Sequence, residues 1–303
     1  MWRNPGTTMK LVLSISLGST QGDHQTVVQV AGEEYLIQRM GTDGSLQRMQ
    51  QLIGQYDGKA VAIGLGGINF AYVVGTRRYP LPQAQNLRGL AVHTQLVDGA
   101  MVKDTIERLA VEWLQRRGEI ELHQAKVLVV SVLDRFGLAE EMERLGAQLT
   151  VGDALFGLGL PVPFYSLKSF AQVARLTMPM LRWLPIQYLY PTGDRQLVNR
   201  PRWAKYFAAA QYIAGDGHYI YRYMPADLKG KTIITGTVTT AALDEFRKRG
   251  CQKVITTSPW WQGRAFGANV LEALMIAVYG EANQANAHKL INQLYWRPEV
   301  IHF

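Results

Sequence analysis

What most constrains this chain is a series of short apolar runs that alternate with helical segments. KVLVVSV (Lys126 to Val132), AQLTVGD (Ala147 to Asp153), AQYIAGD (Ala210 to Asp216), KTIITGT (Lys231 to Thr237) and KVITTS (Lys253 to Ser258) are mostly Val, Ile, Leu, Ala and Thr. Continuous apolar runs of this length suit strands buried on both faces, and such strands need helices above and below them. Helical spacing fills two of the gaps, from Leu138 to Leu145 and from Ala241 to Arg249, and each segment stops at a glycine, Gly146 and Gly250. The predicted class is α/β, with a Rossmann-type, mostly parallel sheet over roughly Gln95 to Gly280.

Upstream, LVLSIS, TVVQVA and EYLIQRM read as three strands, turning at Gly18-Ser19-Thr20 and Ala31-Gly32-Glu33. A helix fits Ser45 to Tyr56, where Leu46, Met49, Leu52 and Ile53 share one face, and the strand AVAIGLG runs into Gly64-Leu65-Gly66-Gly67. Tyr72 to Gln95 predicts at most one more strand. Met101 to Arg117 is an amphipathic helix, with Ile106, Leu109, Ala110, Trp113 and Leu114 on its apolar face, and a last strong helix covers Ala268 to Tyr279. The expected plan is an N-terminal α/β domain over 1–106 and a Rossmann-like nucleotide-binding domain over 107–267 with a helical insert at 155–206. C-terminal helices over 268–303 return to the first domain. Two domains imply a cleft between them.

The single cysteine, Cys251, excludes an intrachain disulfide, and no secretory signal opens the chain, so a cytoplasmic setting is expected. The formal net charge is +8 and the pI about 9.5. The cations are scattered, with no block longer than Arg77-Arg78 or Arg116-Arg117, which argues against a nucleic-acid partner and for a small anionic molecule. In the insert, Lys168, Arg175 and Arg182 recur every seven residues around Pro179 and Pro185. That spacing fits an interfacial helix making peripheral membrane contact, and it fits an ordinary helix pair with a solvated face. A homodimer is the default oligomer for such folds.

Dinucleotide chemistry needs backbone amides at a helix N-terminus, close to the diphosphate. The corresponding turn runs from Ser131 through Asp134 and Arg135 to Gly137, and of the usual glycines it keeps only Gly137, expected to pack helix against strand. Asp153, 22 residues after Ser131, stands where a carboxylate would hold ribose hydroxyls, which favours NAD over NADP; capping the next turn is the alternative. Asp216 and His218 follow a strand at the carboxyl edge of the predicted sheet, Asp216 toward a cofactor and His218 as an acid or base, with Arg222 nearby for an anion. Gln262 and Arg264 precede the return helix, and Arg264 suits a carboxylate clamp. Asp98 opens the crossing helix, either as a catalytic carboxylate or as its N-cap. No metal site is expected, because Asp-x-His alone is too sparse.

The segment VDGAMVKDTIERL (Val97 to Leu109), the strand-turn-helix-strand after it, and ALDEFRKRGCQKVITTSPWWQGRAFGANVLEALMIAVYG together resemble the shikimate and quinate dehydrogenase family. LGST, GLGGI, VDG, YPTG and AGDGHYIYRYMP are similar to a group of bacterial quinate 5-dehydrogenase-like proteins over most of the chain. The resemblance implies an NAD(P)-dependent oxidoreductase acting on a small hydroxy acid, with Asp98 positioning or deprotonating the hydroxyl and Lys59 or His218 as its partner. The family's Asn-Val-Thr-x-Pro-x-Lys motif is missing; Lys59, 39 residues before Asp98, stands in Asp57-Gly58-Lys59 instead. A non-catalytic Rossmann-like protein that binds or senses a ligand, docked through 155–206, is the competing reading.

Overall fold

A computed structural model describes residues 9–185, 193, 198–261 and 264–303. The fold is mixed α/β, with two parallel-sheet, Rossmann-like units. The first sheet has the order β2-β3-β1-β4-β7, formed by β1 (Lys10–Ser16), β2 (His24–Val30), β3 (Glu33–Gly41), β4 (Ala62–Gly66) and β7 (Gln95–Val97). All its pairings are parallel except that of β2 with β3. A two-stranded hairpin, β5 (Ala71–Val74) with β6 (Arg77–Pro80), and helix α2 (Pro82–Arg88) fill the stretch where the sequence predicts at most one strand.

Strand periodicity divides the packing. Leu13 and Ile15 of β1 face Met49, Leu52 and Ile53 of helix α1 (Leu46–Tyr56), which Ser45 caps through its side chain. Val12 faces the other way, into a core shared with Val102, Ile106 and Ala110 of α3 (Ala100–Arg116). Ser14 and Ser16 alternate with the core residues and turn toward the space described below.

The second sheet has the order β15-β12-β11-β10-β8-β9, from β8 (Lys126–Val129), β9 (Gln148–Val151), β10 (Tyr212–Gly215), β11 (Thr232–Thr235), β12 (Lys253–Thr256) and β15 (Glu299–His302). Its first five strands in sequence are parallel. Val127 and Val129 of β8 face one core, with Leu138 and Met142 of α4 (Phe136–Arg144), and Leu128 faces another. That second core contains Phe207 of α6 (Ala204–Ala209), Ile220 of α7 (Gly217–Tyr223) and Phe246 of α8 (Thr240–Lys248). Both faces are therefore covered, as the apolar runs required. The connection from β10 to β11 contains α7, and the insert contributes α5 (Leu167–Leu181).

The C-terminus departs from expectation. Helices α9 (Ala268–Tyr279) and α10 (Gln284–Gln293) pack on the first unit, where Val270, Leu271 and Leu274 share a core with Val12 and Ala62. The chain then leaves again: β15 pairs antiparallel with β12 and closes the edge of the second sheet. Only Val300 and Ile301, between Glu299 and His302, are apolar in this strand, too short a run to announce it. Among the described residues no helix is long and apolar enough to cross a membrane.

Candidate functional site

The carboxyl edges of both sheets meet across one cleft of about 490 Å³. Crevices at carboxyl edges, at the point where strand order reverses, are where open α/β sheets bind ligands. In the second sheet that point lies between β8 and β10, and the segments after those strands supply Asp134, Arg135, Asp216 and His218 to the cleft. The first sheet supplies Ser14, Ser16 and Ser19 from β1 and its following turn, Gly66 to Asn69 after β4, and Asp98 after β7.

On the first side the backbone comes very close to helix α9. A Cβ on Gly64 would collide with the carbonyl of Asn269, and one on Gly99, at φ +84°, would lie 2.5 Å from the Asn269 nitrogen. This contact lets Asn269 Nδ2 donate to Ser14 Oγ at 2.9 Å. Asp98 is buried and held by backbone: Oδ2 accepts from Phe70 N at 2.6 Å and Oδ1 from Ala100 N at 3.1 Å. Glu272 of α9 accepts from the next amide, Met101 N, at 3.1 Å. Burial, with Asp98 nearby, pushes the Glu272 carboxyl up to about 7. Asp98 thus holds the first amide of α3 from one residue before the N-cap, which is Gly99.

On the second side the edge is built from buried charge. Arg135, 4% exposed, pairs with Glu107 of α3, 1% exposed, and reaches Asp134 at 3.5 Å and Asp216 at 3.7 Å. Burial works against a charged Arg135, but these three carboxylates outweigh it and hold the guanidinium firmly protonated. Lys103 Nζ donates to Asp134 Oδ1 at 2.6 Å and to Asn69 Oδ1 at 3.0 Å, and Asn69 Nδ2 donates to Asp134 at 2.8 Å. Burial alone would raise the Asp134 pKa; Lys103, Arg135 and Asn69 instead lower it to about 2. Asp216 caps α7, its Oδ1 accepting from His218 N and Tyr219 N.

The turn expected to hold a diphosphate is closed from within. Asp153 accepts from Val132 N and Leu133 N, both at 2.8 Å, so its carboxylate takes the amides that a dinucleotide phosphate would seek. Burial pushes that carboxyl up to about 7. Gly137 marks the packing of α4 on α3, a helix rather than a strand, since a Cβ there would lie 2.5 Å from Asp104 Oδ1. Ser131 is buried, with its Oγ accepting from Asp216 N at 3.4 Å. With Asp134 and Arg135 buried in their own ion pairs, these residues do not fit a conventional dinucleotide site. Asp153 is also not free for ribose, which removes the reason to favour NAD over NADP.

The remaining expectations divide. His218 lines the cleft, but Lys59 is exposed in the turn before β4, at the opposite end of that strand, and cannot partner Asp98. Arg222 lies in the last turn of α7, its guanidinium 5.6 Å from the Tyr223 ring centre, and is not among the residues lining the cleft. Gln262 is outside the described residues, and Arg264 is placed only by its backbone, in the strand pair β13 (Trp260–Trp261) with β14 (Arg264–Ala265). Sequence reasoning missed Lys103, Glu107 and Asn69. Glu107 had a signal: it falls at helical spacing with Ala110, Val111 and Leu114, and a carboxylate on that face needs a buried partner. Among the described residues no group of three or more His, Cys, Asp or Glu side chains is placed to hold a metal ion.

Residues 101–303 match the family model described as Domain of unknown function (DUF8754), and residues 11–98 match the one described as Domain of unknown function (DUF8753). No curated protein matches the chain. Among solved structures, the hetero-hexameric glutamate dehydrogenase from Thermus thermophilus in its Leu-bound form is similar at 12% identity. That match has a TM-score of 0.40 and covers 95% of this chain and 74% of that one. A dipicolinate synthase subunit from Bacillus halodurans is similar at 12% identity and a TM-score of 0.32, over 95% of this chain and 97% of that one. A sugar ABC transport system substrate-binding protein from Bordetella parapertussis is similar at 11% identity and 0.35, over 97% and 89%. At such values the ligands and reactions named for those proteins do not carry over.

Proposed function

We propose that this chain, which belongs to the DUF8754 family, binds a small polyhydroxylated molecule in the cleft between its two sheets. The supporting observation is that both carboxyl edges converge on one space where hydroxyls, amides and fixed charges stand among apolar side chains such as Leu65, Ile68, Phe266 and Val270. Ser14, Ser16 and Asn69 on one side, and Thr237 and Thr239 on the other, offer both donors and acceptors to hydroxyl groups. Lys103 bound to an ionised Asp134 is a donor and acceptor pair at the same wall, able to orient a hydroxyl of the ligand. A carboxylate on the ligand would meet His218 and Arg39, which also line this space.

The NAD(P)-dependent oxidoreductase of the quinate and shikimate dehydrogenase type is the second reading. The place of Asp98 favours it, because the residue that the resemblance assigns to the substrate hydroxyl does line the cleft. Against it stands the turn from Ser131 to Gly137, where Asp153 holds the amides that a diphosphate needs.

Thermal stability of the full chain, measured with quinate, shikimate and other polyols and separately with NAD, NADH, NADP and NADPH, distinguishes the two. A ligand at about 100 times its Kd adds about 2.7 kcal/mol. Stabilisation by a hydroxy acid and by no nucleotide is the expected result. Stabilisation by a nucleotide, with turnover of the hydroxy acid, replaces the first reading with the second, and no response to any of them overturns both.

A further inference from the structure

Helix α5 has one face, with Leu167, Phe170, Ala174 and Met178, packed on α4 and β9 of the second unit and on β5 of the first, and a second apolar face with nothing on it among the described residues. Leu176 and Met180 are 80% and 77% exposed, and Trp183 beyond the helix end is 66% exposed. Beside them the loop with Leu158, Leu160 and Val162 is also bare, and between loop and helix opens an apolar cavity of about 300 Å³. A monomer rarely leaves so continuous an apolar surface to water.

Charge indicates what covers it. Between Asp153 and Asp216 the sequence has a single acid, Asp194, against Lys168, Arg175 and Arg182 and then Arg195, Arg200, Arg202 and Lys205. At 100° per residue, Lys168, Arg175 and Arg182 form one stripe along α5, flanking the bare stripe of Leu176 and Met180. Arg182 lies 5.3 Å from the ring of Trp183, and the Arg202 guanidinium lies against Gly159 in the loop. Apolar side chains with Trp, bordered by cations and free of acids, are the composition of a helix that lies in the headgroup layer of an anionic membrane. A solvated helix has no need of the bare leucine and methionine, and a second copy of so basic a face would repel the first.

We propose that α5 and the 157–162 loop form a docking surface for an anionic phospholipid bilayer, seating Leu176, Met180 and Trp183 at the acyl boundary with the cations among the headgroups. The cavity then opens toward lipid rather than water.

The test is flotation of the full chain with vesicles of phosphatidylcholine and phosphatidylglycerol at 3:1, or of phosphatidylcholine alone, at low and high salt. Expected are flotation with the anionic vesicles, loss of most of it at high salt, and little with the neutral ones. Arg175→Glu should weaken partitioning more than about five-fold, since each basic residue near such a surface contributes roughly that factor. Leu176→Ser with Met180→Ser should abolish flotation while the melting temperature stays put, both side chains being exposed. Absence of flotation, or flotation indifferent to all these changes, overturns the proposal. So does a dimer by light scattering that the double serine variant converts to monomer, which would make the face an interface between copies.

Discussion

The two edges that face each other across the cleft are built on opposite plans. The first is backbone and hydroxyl: Gly64 and Gly99 let α9 approach to contact, and Ser14 and Asn269 are neutral. The second is side-chain charge: Arg135, Glu107, Asp134, Lys103 and Asp216 form a mostly buried network with nearly every charge answered by another. In a dinucleotide-binding domain the second edge would be the glycine-lined one. Here side chains hold the turn that backbone would otherwise present, so that turn is a fixed wall, and the close backbone approach of the second edge lies elsewhere, at Gly217 against the Thr237 carbonyl. A buried network of this kind fixes geometry more reliably than it adds stability, because desolvation offsets most of the attraction.

That contrast can be broken most forcefully at Arg135. Arg135→Ala leaves Glu107 buried and unanswered and should lower stability to denaturant by about 3–5 kcal/mol. Replacing Arg135 and Glu107 together by methionine should recover most of that loss. If the single variant is as stable as wild type, the network is not what holds the second edge.

On the first edge, Gly64→Ala drives a methyl into the Asn269 carbonyl and should cost about 1–3 kcal/mol by the same measurement, an overpacking penalty with no charge involved. Its size should not change with pH, whereas the charged edge should respond, and so should Glu272 on α9 beside the first edge. The folded-state pKa values of Asp153 and Glu272 are about 7, above their ordinary 3.8 and 4.5. Folding therefore takes up protons at these sites, so their contribution is greatest below about pH 4 and declines as pH rises to about 7. Asp134 runs the other way: its contribution is present above its ordinary value and is lost as pH falls toward 2. Asp153→Asn should flatten the fall in melting temperature between pH 4 and 7, and an unchanged slope would assign it to Glu272. The smallest effect belongs to exposed charge. Arg116→Ala breaks a pair with Glu112 on the surface of α3 and should stay within about 0.5 kcal/mol.

Much of the fold was legible because it rests on local periodicity. The parallel strands of the second sheet, α1, α3 and α9 all declare themselves by apolar spacing, and Ser45, Gly146 and Gly250 mark the start of α1 and the ends of α4 and α8. What was not legible depends on partners distant in sequence. β15 is a strand because β12 offers an open edge, and nothing in Glu299 to His302 says so. The site suffered most from this. Asp153 stood at a spacing that suits a ribose ligand, yet its carboxylate turns back onto Val132 and Leu133, a choice that depends on the shape of a turn some 20 residues upstream. Lys59 lies at a suitable distance from Asp98 along the chain but at the wrong end of its strand. Lys103 went unnoticed because a lysine in the first turns of an amphipathic helix reads as a solvated charge until Asn69 and Asp134 are brought to it.

The return of α9 to the first sheet also sets the order in which the molecule can be completed. Residues 268–279 complete the core that Val12 and Ala62 share with α3, so a chain emerging from the ribosome leaves that face of its first sheet only partly covered until nearly all of the second unit has been made. The unit synthesised first is the one finished last. Until then that face is open to chaperones and to misassociation, and a chain cut short before residue 268 would keep it so.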